Sequence, residues 1–186
     1  FCVGYFNLRG WKQIDYCVEQ WSGGEGHCCR LLVGMPQHEN EELRAALSLA
    51  GRSGLPDNRT AQRLRRVLAQ EFRDQLAIGA PSNADEAGLR RLATQIRAKK
   101  VVVKLFLAHP LHAKLYLLFR PDPVNPRVGF LGSSNLTMAG LSKQGELNVD
   151  VMEHDATAKL AQWFNDRWND HWCIDISDEL VEIIER

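Results

Sequence analysis

The chain has 186 residues, 45% of them hydrophobic and 25% charged, and its basic and acidic side chains balance to a net charge of zero. That is an ordinary globular composition, long enough for one domain with a substantial core and room for an inserted subdomain. No run approaches the ~18 consecutive apolar residues of a membrane span and no charged-then-apolar leader is present, so a cytoplasmic protein with no membrane partner is expected.

In chain order, residues 1–6 read as a strand, 11–21 as a helix and 30–34 as a second strand, a βαβ start. The chain opens inside that first strand without an initiator Met, as a piece of a longer protein would. Arg9, just past the strand, is expected near any site built at the strand end. The five cysteines, Cys2, Cys17, Cys28, Cys29 and Cys173, form no CxxC pair. They read as reduced, mostly buried thiols, with neither a disulfide framework nor a structural zinc site.

Helical spacing recurs over 40–50 and 57–77, where Leu64, Val67, Leu68, Phe72 and Leu76 make one stripe while Arg59, Arg63, Arg66 and Arg73 take other faces. Asp57 or Asn58 suits the N-cap. Residues 80–83 break the pattern, and a helix resumes over 85–99. Residues 52–104 carry 12 basic against 5 acidic side chains, and residues 146–186 carry 3 against 11. This basic helical lobe, about 52–100, reads either as a polyanion-facing surface or as a solvated face that the acidic tail neutralises.

Residues 101–107 and 111–119 read as two neighbouring strands, since Ala108-His109-Pro110 suits no strand interior. A proline-rich connection, 121–126, leads to strands at 127–131 and 146–152, and helices over 155–169 and 178–185 close the chain. Trp163, Trp168, Trp172, His154 and His171 read as packing residues. Strands alternating with helices over this length make an α/β sandwich. No segment is repeated internally.

Chemistry concentrates in one window: His112-Ala113-Lys114 on a strand, Gly132-Ser133-Ser134-Asn135 where the next strand turns towards a helix, and Glu146 opening the strand after. On an extended strand, residues two apart share a face about 6 to 7 Å apart, so an imidazole and an ammonium stand together. The Gly-Ser-Ser-Asn turn adds a hydroxyl and an amide donor, and a helix N-terminus behind it would offer backbone N–H groups to phosphate. His109 has no carboxylate or cysteine at ligand spacing, and Pro110 beside it argues for a bend, so no metal is expected there.

His-x-Lys, then Gly-Ser-x-Asn, then a carboxylate, in this order and spacing, resembles the phospholipase D superfamily. The likeness is greatest to its small bacterial single-motif members, the nonspecific endonuclease and the metal-independent restriction enzymes. It is specific from about 101 to 151, and a looser similarity beginning at Tyr5-Phe6-Asn7-Leu8-Arg9-Gly10 extends to both ends. The resemblance implies an α-β-α sandwich with a central mixed sheet, the helical lobe being inserted before the catalytic strands. It implies a phosphohistidine mechanism without metal or other cofactor. His112 would attack phosphorus, Lys114 and Asn135 would hold the nonbridging oxygens, Ser133 would support the turn, and Glu146 would orient an imidazole. The family's proton donor is the histidine of a second motif. With one His-x-Lys here, a two-fold homodimer is the simplest source.

The family's fuller motif, His-x-Lys-x4-Asp, has an aspartate where this chain has Phe119, a departure shared with the restriction-type relatives. The basic segment favours a nucleic-acid partner, DNA before RNA, over a lipid. Two further readings stand beside the nuclease: a catalytically weak or inactive nucleic-acid-binding module fused to a helicase or other DNA-processing protein, and a phospholipid hydrolase or transferase.

Overall fold

A computed structural model describes residues 1–34, 58–76, 82–142 and 145–186. The strands are β1 (Cys2–Val3), β2 (Cys29–Gly34), β3 (Val101–Phe106), β4 (Leu115–Phe119), β5 (Arg127–Gly132), β6 (Asn148–Val151) and β7 (Cys173–Asp175). The helices are α1 (Leu8–Trp11), α2 (Asp15–Glu19), α3 (Asn58–Leu76), α4 (Asn83–Arg97), α5 (Met138–Ser142), α6 (His154–Trp168) and α7 (Ser177–Ile184). The strands form one seven-stranded mixed sheet in the order β6-β5-β4-β1-β2-β3-β7. β1, β2 and β3 run parallel. β4 is antiparallel to β1, β5 to β4, β6 to β5 and β7 to β3.

Period-two alternation sorts the strand residues onto two faces. Val3, Leu31, Val33, Val101, Val103 and Leu105 face α1, α3, α4 and α7, which contribute Trp11, Phe72, Leu92 and Leu180 among others. Cys2, Leu32, Phe106 and Leu115 face α6 through Phe164 and Trp168. The result is the expected α-β-α sandwich. The two basic helices α3 and α4 lie between β2 and β3 in sequence, and their apolar stripes join the larger of the two cores. Part of their charge is spent within the fold, because Arg66 pairs with Glu182 at 3.7 Å and Arg97 with Glu185, both acids lying at the acidic end of the chain.

Cys2, Cys29 and Cys173 are buried. Burial pushes the Cys2 and Cys29 thiols up to about 11 and that of Cys173 up to about 12. Trp163 and Trp168 pack against the sheet. Among the described residues no helix is long and apolar enough to cross a membrane.

Several elements differ from the sequence reading. The expected helix over 11–21 is two short ones, since Gln13 and Ile14 donate three residues back, to Gly10 O and Trp11 O, and tighten the chain between them. β7 was not anticipated. Three residues carry little periodicity of their own, and this strand exists by pairing with the outer edge of β3. The first strand ends at Val3, beyond which Phe6 makes only an isolated bridge to Leu136. The helix expected over 40–50, the cap candidate Asp57, and Ala80 and Pro81 of the expected break lie outside the residues described, while the other cap candidate, Asn58, is the first residue of α3.

α4 is entered through a capping box: Ser82 Oγ accepts from Asp85 N at 3.2 Å while Asp85 Oδ2 accepts from Ser82 N at 3.2 Å. Ser82 and then Lys12 hold the Asp85 carboxyl down at about 2. A carboxyl depressed on folding stabilises the fold above its unfolded value of roughly 4, and that contribution is lost as pH falls through the folded value. Ser82→Ala should therefore cost about 1 kcal/mol in urea unfolding at neutral pH. For Asp85→Asn, the deficit against wild type should close as the pH of the titration is lowered to about 2; a deficit constant with pH would disprove this.

Candidate active site

The topology directs the carboxyl ends of β1, β2, β3 and β5 and the amino ends of β4 and β6 to one edge of the sheet. Ligands of α/β sheets bind outside the carboxyl ends of strands. All five residues singled out in the sequence lie at this edge.

His112-Ala113-Lys114 does not lie on a strand as expected. β4 begins at Leu115, and the triplet forms the extended approach to it. The cause is local: the Leu111 carbonyl is tucked against Gly4 and Gly34, so the chain crosses the ends of β2 and β1 before it can pair. His112 is exposed, and Lys114 folds back so that Nζ donates to His112 O at 2.6 Å. The ammonium is thus held at the His112 backbone carbonyl by this bond rather than set beside it by strand periodicity.

Asn135 reaches the same place from β5. Its Oδ1 accepts from the Tyr5 backbone N–H at 3.0 Å. A Cβ built on Gly4 would lie 3.4 Å from His112 Cα and 3.6 Å from Asn135 Oδ1, so both residues border Gly4 at the end of β1. With Oδ1 engaged, the Asn135 NH2 remains to donate.

Ser133 and Glu146 form a second unit. Ser133 Oγ donates to Glu146 Oε2 and accepts from Leu147 N at 3.1 Å, while Ser133 N donates to Leu147 O at 3.1 Å. Ser133 therefore ties the β5 turn to the approach of β6, a turn-supporting placement. Glu146 sits just before β6, not on it. Its carboxylate is held by Ser133, and among the described residues no histidine ring bonds to it, unlike the imidazole contact that the resemblance implies. The helix behind the turn, α5, has only five residues. Thr137 Oγ1 already takes the Gly140 amide at 3.0 Å, so that amide is not free to meet a phosphate.

Residues that the sequence reading did not single out complete the neighbourhood. Asn148 Nδ2 donates to Ser134 Oγ at 2.7 Å, and Tyr116 Oη donates to Ser134 O at 2.8 Å. Burial, followed by the Glu146 carboxylate nearby, pushes the Tyr116 phenol well above its usual range. Gly4 and Tyr5 could have been found from their position at the carboxyl end of the first strand of a βαβ unit. Beside the turn, a largely apolar groove of about 660 Å³ runs along the sheet face, lined by Val18, Trp21, Tyr116, Phe130 and Leu141, with Glu146 also in its wall.

Three other candidates lie apart from this arrangement. Arg9 faces Asp85 at 3.7 Å on α4. His109 packs edge-on to Phe106, with Nδ1 3.1 Å from Pro110 O. Phe119 lies at the far end of β4, five residues from Lys114 and hence roughly 16 Å away along an extended strand. Its cross-strand partner is Arg127, whose Nε is buried with no hydrogen-bond partner among the described residues. An aspartate at 119 would face that arginine and not the site. Phe119→Asp should accordingly leave turnover within about twofold and stability within roughly 0.5 kcal/mol or slightly higher. A large change in turnover would place the position in the chemistry.

The family model described as "Cardiolipin synthase, PLD-like domain" matches residues 30–168. The matched span holds His112, Lys114, Ser133, Asn135 and Glu146. None of the curated proteins matches the chain.

Proposed function

This chain belongs to the phospholipase D-like family, and from that premise we propose that it is a metal-independent phosphodiesterase, acting as a nuclease through a covalent phosphohistidine on His112. The observation that carries the reading is that His112 and Asn135 both border Gly4 at the end of β1, with the Lys114 ammonium against the His112 carbonyl. A histidine, a cation and an amide donor gathered at one strand end suit a phosphoryl group, whose transition state places charge on its equatorial oxygens. His112 forms the P–N bond as the P–O bond to the leaving alcohol breaks, and the alkoxide takes a proton from an acid. Water then attacks phosphorus, gives its proton to that same group, and expels His112. One His-x-Lys supplies one of the two histidines this cycle uses, so we assign the second to another copy of the chain in a two-fold homodimer.

Arg59, Arg63 and Arg65 of α3 are exposed and pair with no acid among the described residues, which favours a polyanion. The weak or inactive nucleic-acid-binding module, fused to a helicase, remains the reading if binding persists without turnover. A second enzymatic reading, a phospholipid hydrolase or transferase, is favoured by one observation: the groove beside the turn is apolar, and Tyr116, Glu146 and Asn148 in its wall already bond to neighbours.

One assay separates these. The protein is incubated in EDTA with labelled single- and double-stranded DNA and, in parallel, with phosphatidylglycerol vesicles. DNA cleavage supports the nuclease, and release or exchange of the lipid headgroup alone supports the second enzyme. DNA binding without either supports the module. Cleavage that appears only on adding a divalent metal would refute the phosphohistidine route. Sedimentation at micromolar concentration checks the dimer.

A further inference from the structure

We infer that Gly4 and Gly34 are positioning residues: together they form a saddle, at the carboxyl ends of β1 and β2, that seats the Leu111 carbonyl and so sets where His112 stands relative to Asn135. The inference rests on the reading of His112 as nucleophile.

A Cβ on Gly34 would lie 2.6 Å from Leu111 O and 3.0 Å from Leu111 Cβ. One on Gly4 would lie 2.8 Å from Leu111 O and 3.4 Å from His112 Cα. Both clashes are with backbone or with a Cβ, which cannot swing aside as the end of a long side chain can. Neither glycine has a positive φ. Space, not backbone freedom, is what each supplies, and alanine at either position is conformationally allowed. The strain has one way out, which is to lift residues 111–112 off the strand ends.

Asn135 does not follow that movement. It is pinned by the Tyr5 N–H at 3.0 Å, and Asn7 N donates to Leu136 O at 3.2 Å beside it. Lifting the Leu111 carbonyl therefore changes the separation of nucleophile and amide donor, because Lys114, bonded to the His112 carbonyl, moves with the lifted segment while Asn135 keeps its place. Positional errors of this kind lower the rate of the chemical step more than they weaken binding.

The test compares wild type, Gly4→Ala, Gly34→Ala and His112→Ala on a labelled phosphodiester in EDTA. The two glycine variants should lose about 100-fold in kcat with KM within about threefold, a shift of roughly 1 Å being enough for that. Their pH–rate profile should keep its shape, because no ionisable group is altered. Full kcat in folded Gly4→Ala and Gly34→Ala, beside an inactive His112→Ala, overturns the saddle and leaves the nucleophile standing. Wild-type activity in His112→Ala overturns the nucleophile assignment itself. If one glycine variant does not fold, the other decides by its kcat. If neither folds, the glycines are packing residues and the inference is wrong.

Discussion

Replacing His112 by alanine is expected to lower phosphodiester turnover by ~10⁴-fold or more, about 5 kcal/mol of transition-state stabilisation, with the melting temperature unchanged. The stability half of that expectation follows from exposure: the side chain is on the surface and holds no core contact. The rate half follows from the role proposed for His112 as nucleophile. A lost nucleophile removes the covalent pathway, leaving Lys114 and Asn135 able to bind a phosphoryl group but with no atom to attack it. Brief reaction of the wild type with a radiolabelled phosphodiester, followed by an alkaline quench, should leave an acid-labile phosphoramidate on the peptide containing His112. Label on another residue, or turnover persisting in the alanine variant, would move the nucleophile elsewhere.

Asn135→Asp should be nearly as damaging, at ~10²- to 10³-fold in kcat. The variant retains Oδ1, so the bond from Tyr5 N–H at 3.0 Å survives and the turn is held as before. What changes is the other atom, where an NH2 donor becomes an oxygen of a carboxylate facing phosphate oxygens. Loss of a hydrogen bond and gain of charge repulsion act in the same direction. Because the repulsion falls when the carboxylate is protonated, part of the rate should return as pH is lowered, provided turnover is measured relative to wild type at each pH. An Asn135→Asp enzyme with undiminished kcat would show that this amide does not touch the reacting group.

How much of this was legible beforehand differs from element to element. α3 and α4 carry long amphipathic stripes, and their observed ranges fall close to those read from periodicity alone. β7 and the split between α1 and α2 were not readable, because three or four residues carry no periodic signal and their states are decided by what lies alongside. The unevenness of charge was plain in the sequence. Its division between pairing with acids of the chain's own end and exposure on α3 required knowing that α7 packs beside both basic helices.

The site shows the same division. Residue identity and order were enough to put forward His112, Lys114, Ser133, Asn135 and Glu146 as candidates, and the sheet brings all five to one edge. Their geometry was not contained in that order. Lys114 was expected beside His112 by strand alternation, yet stands there through a bond to a carbonyl on a segment that is not a strand. The bond that holds Glu146 to Ser133 likewise could not be read from residue order. Phe119 counted as a departure within the motif until the strand carried it to the opposite end of the sheet. Gly4, more than a hundred residues from His112 in the chain, became part of the site only when the sheet brought the ends of β1 and β2 under the Leu111 carbonyl. Sequence by itself determined which functional groups the chain possesses and the helices long enough to declare themselves. Tertiary structure decided which groups touch, because contacts between strands far apart in the chain depend on pairing and on the space two glycines leave, and neither leaves a local trace.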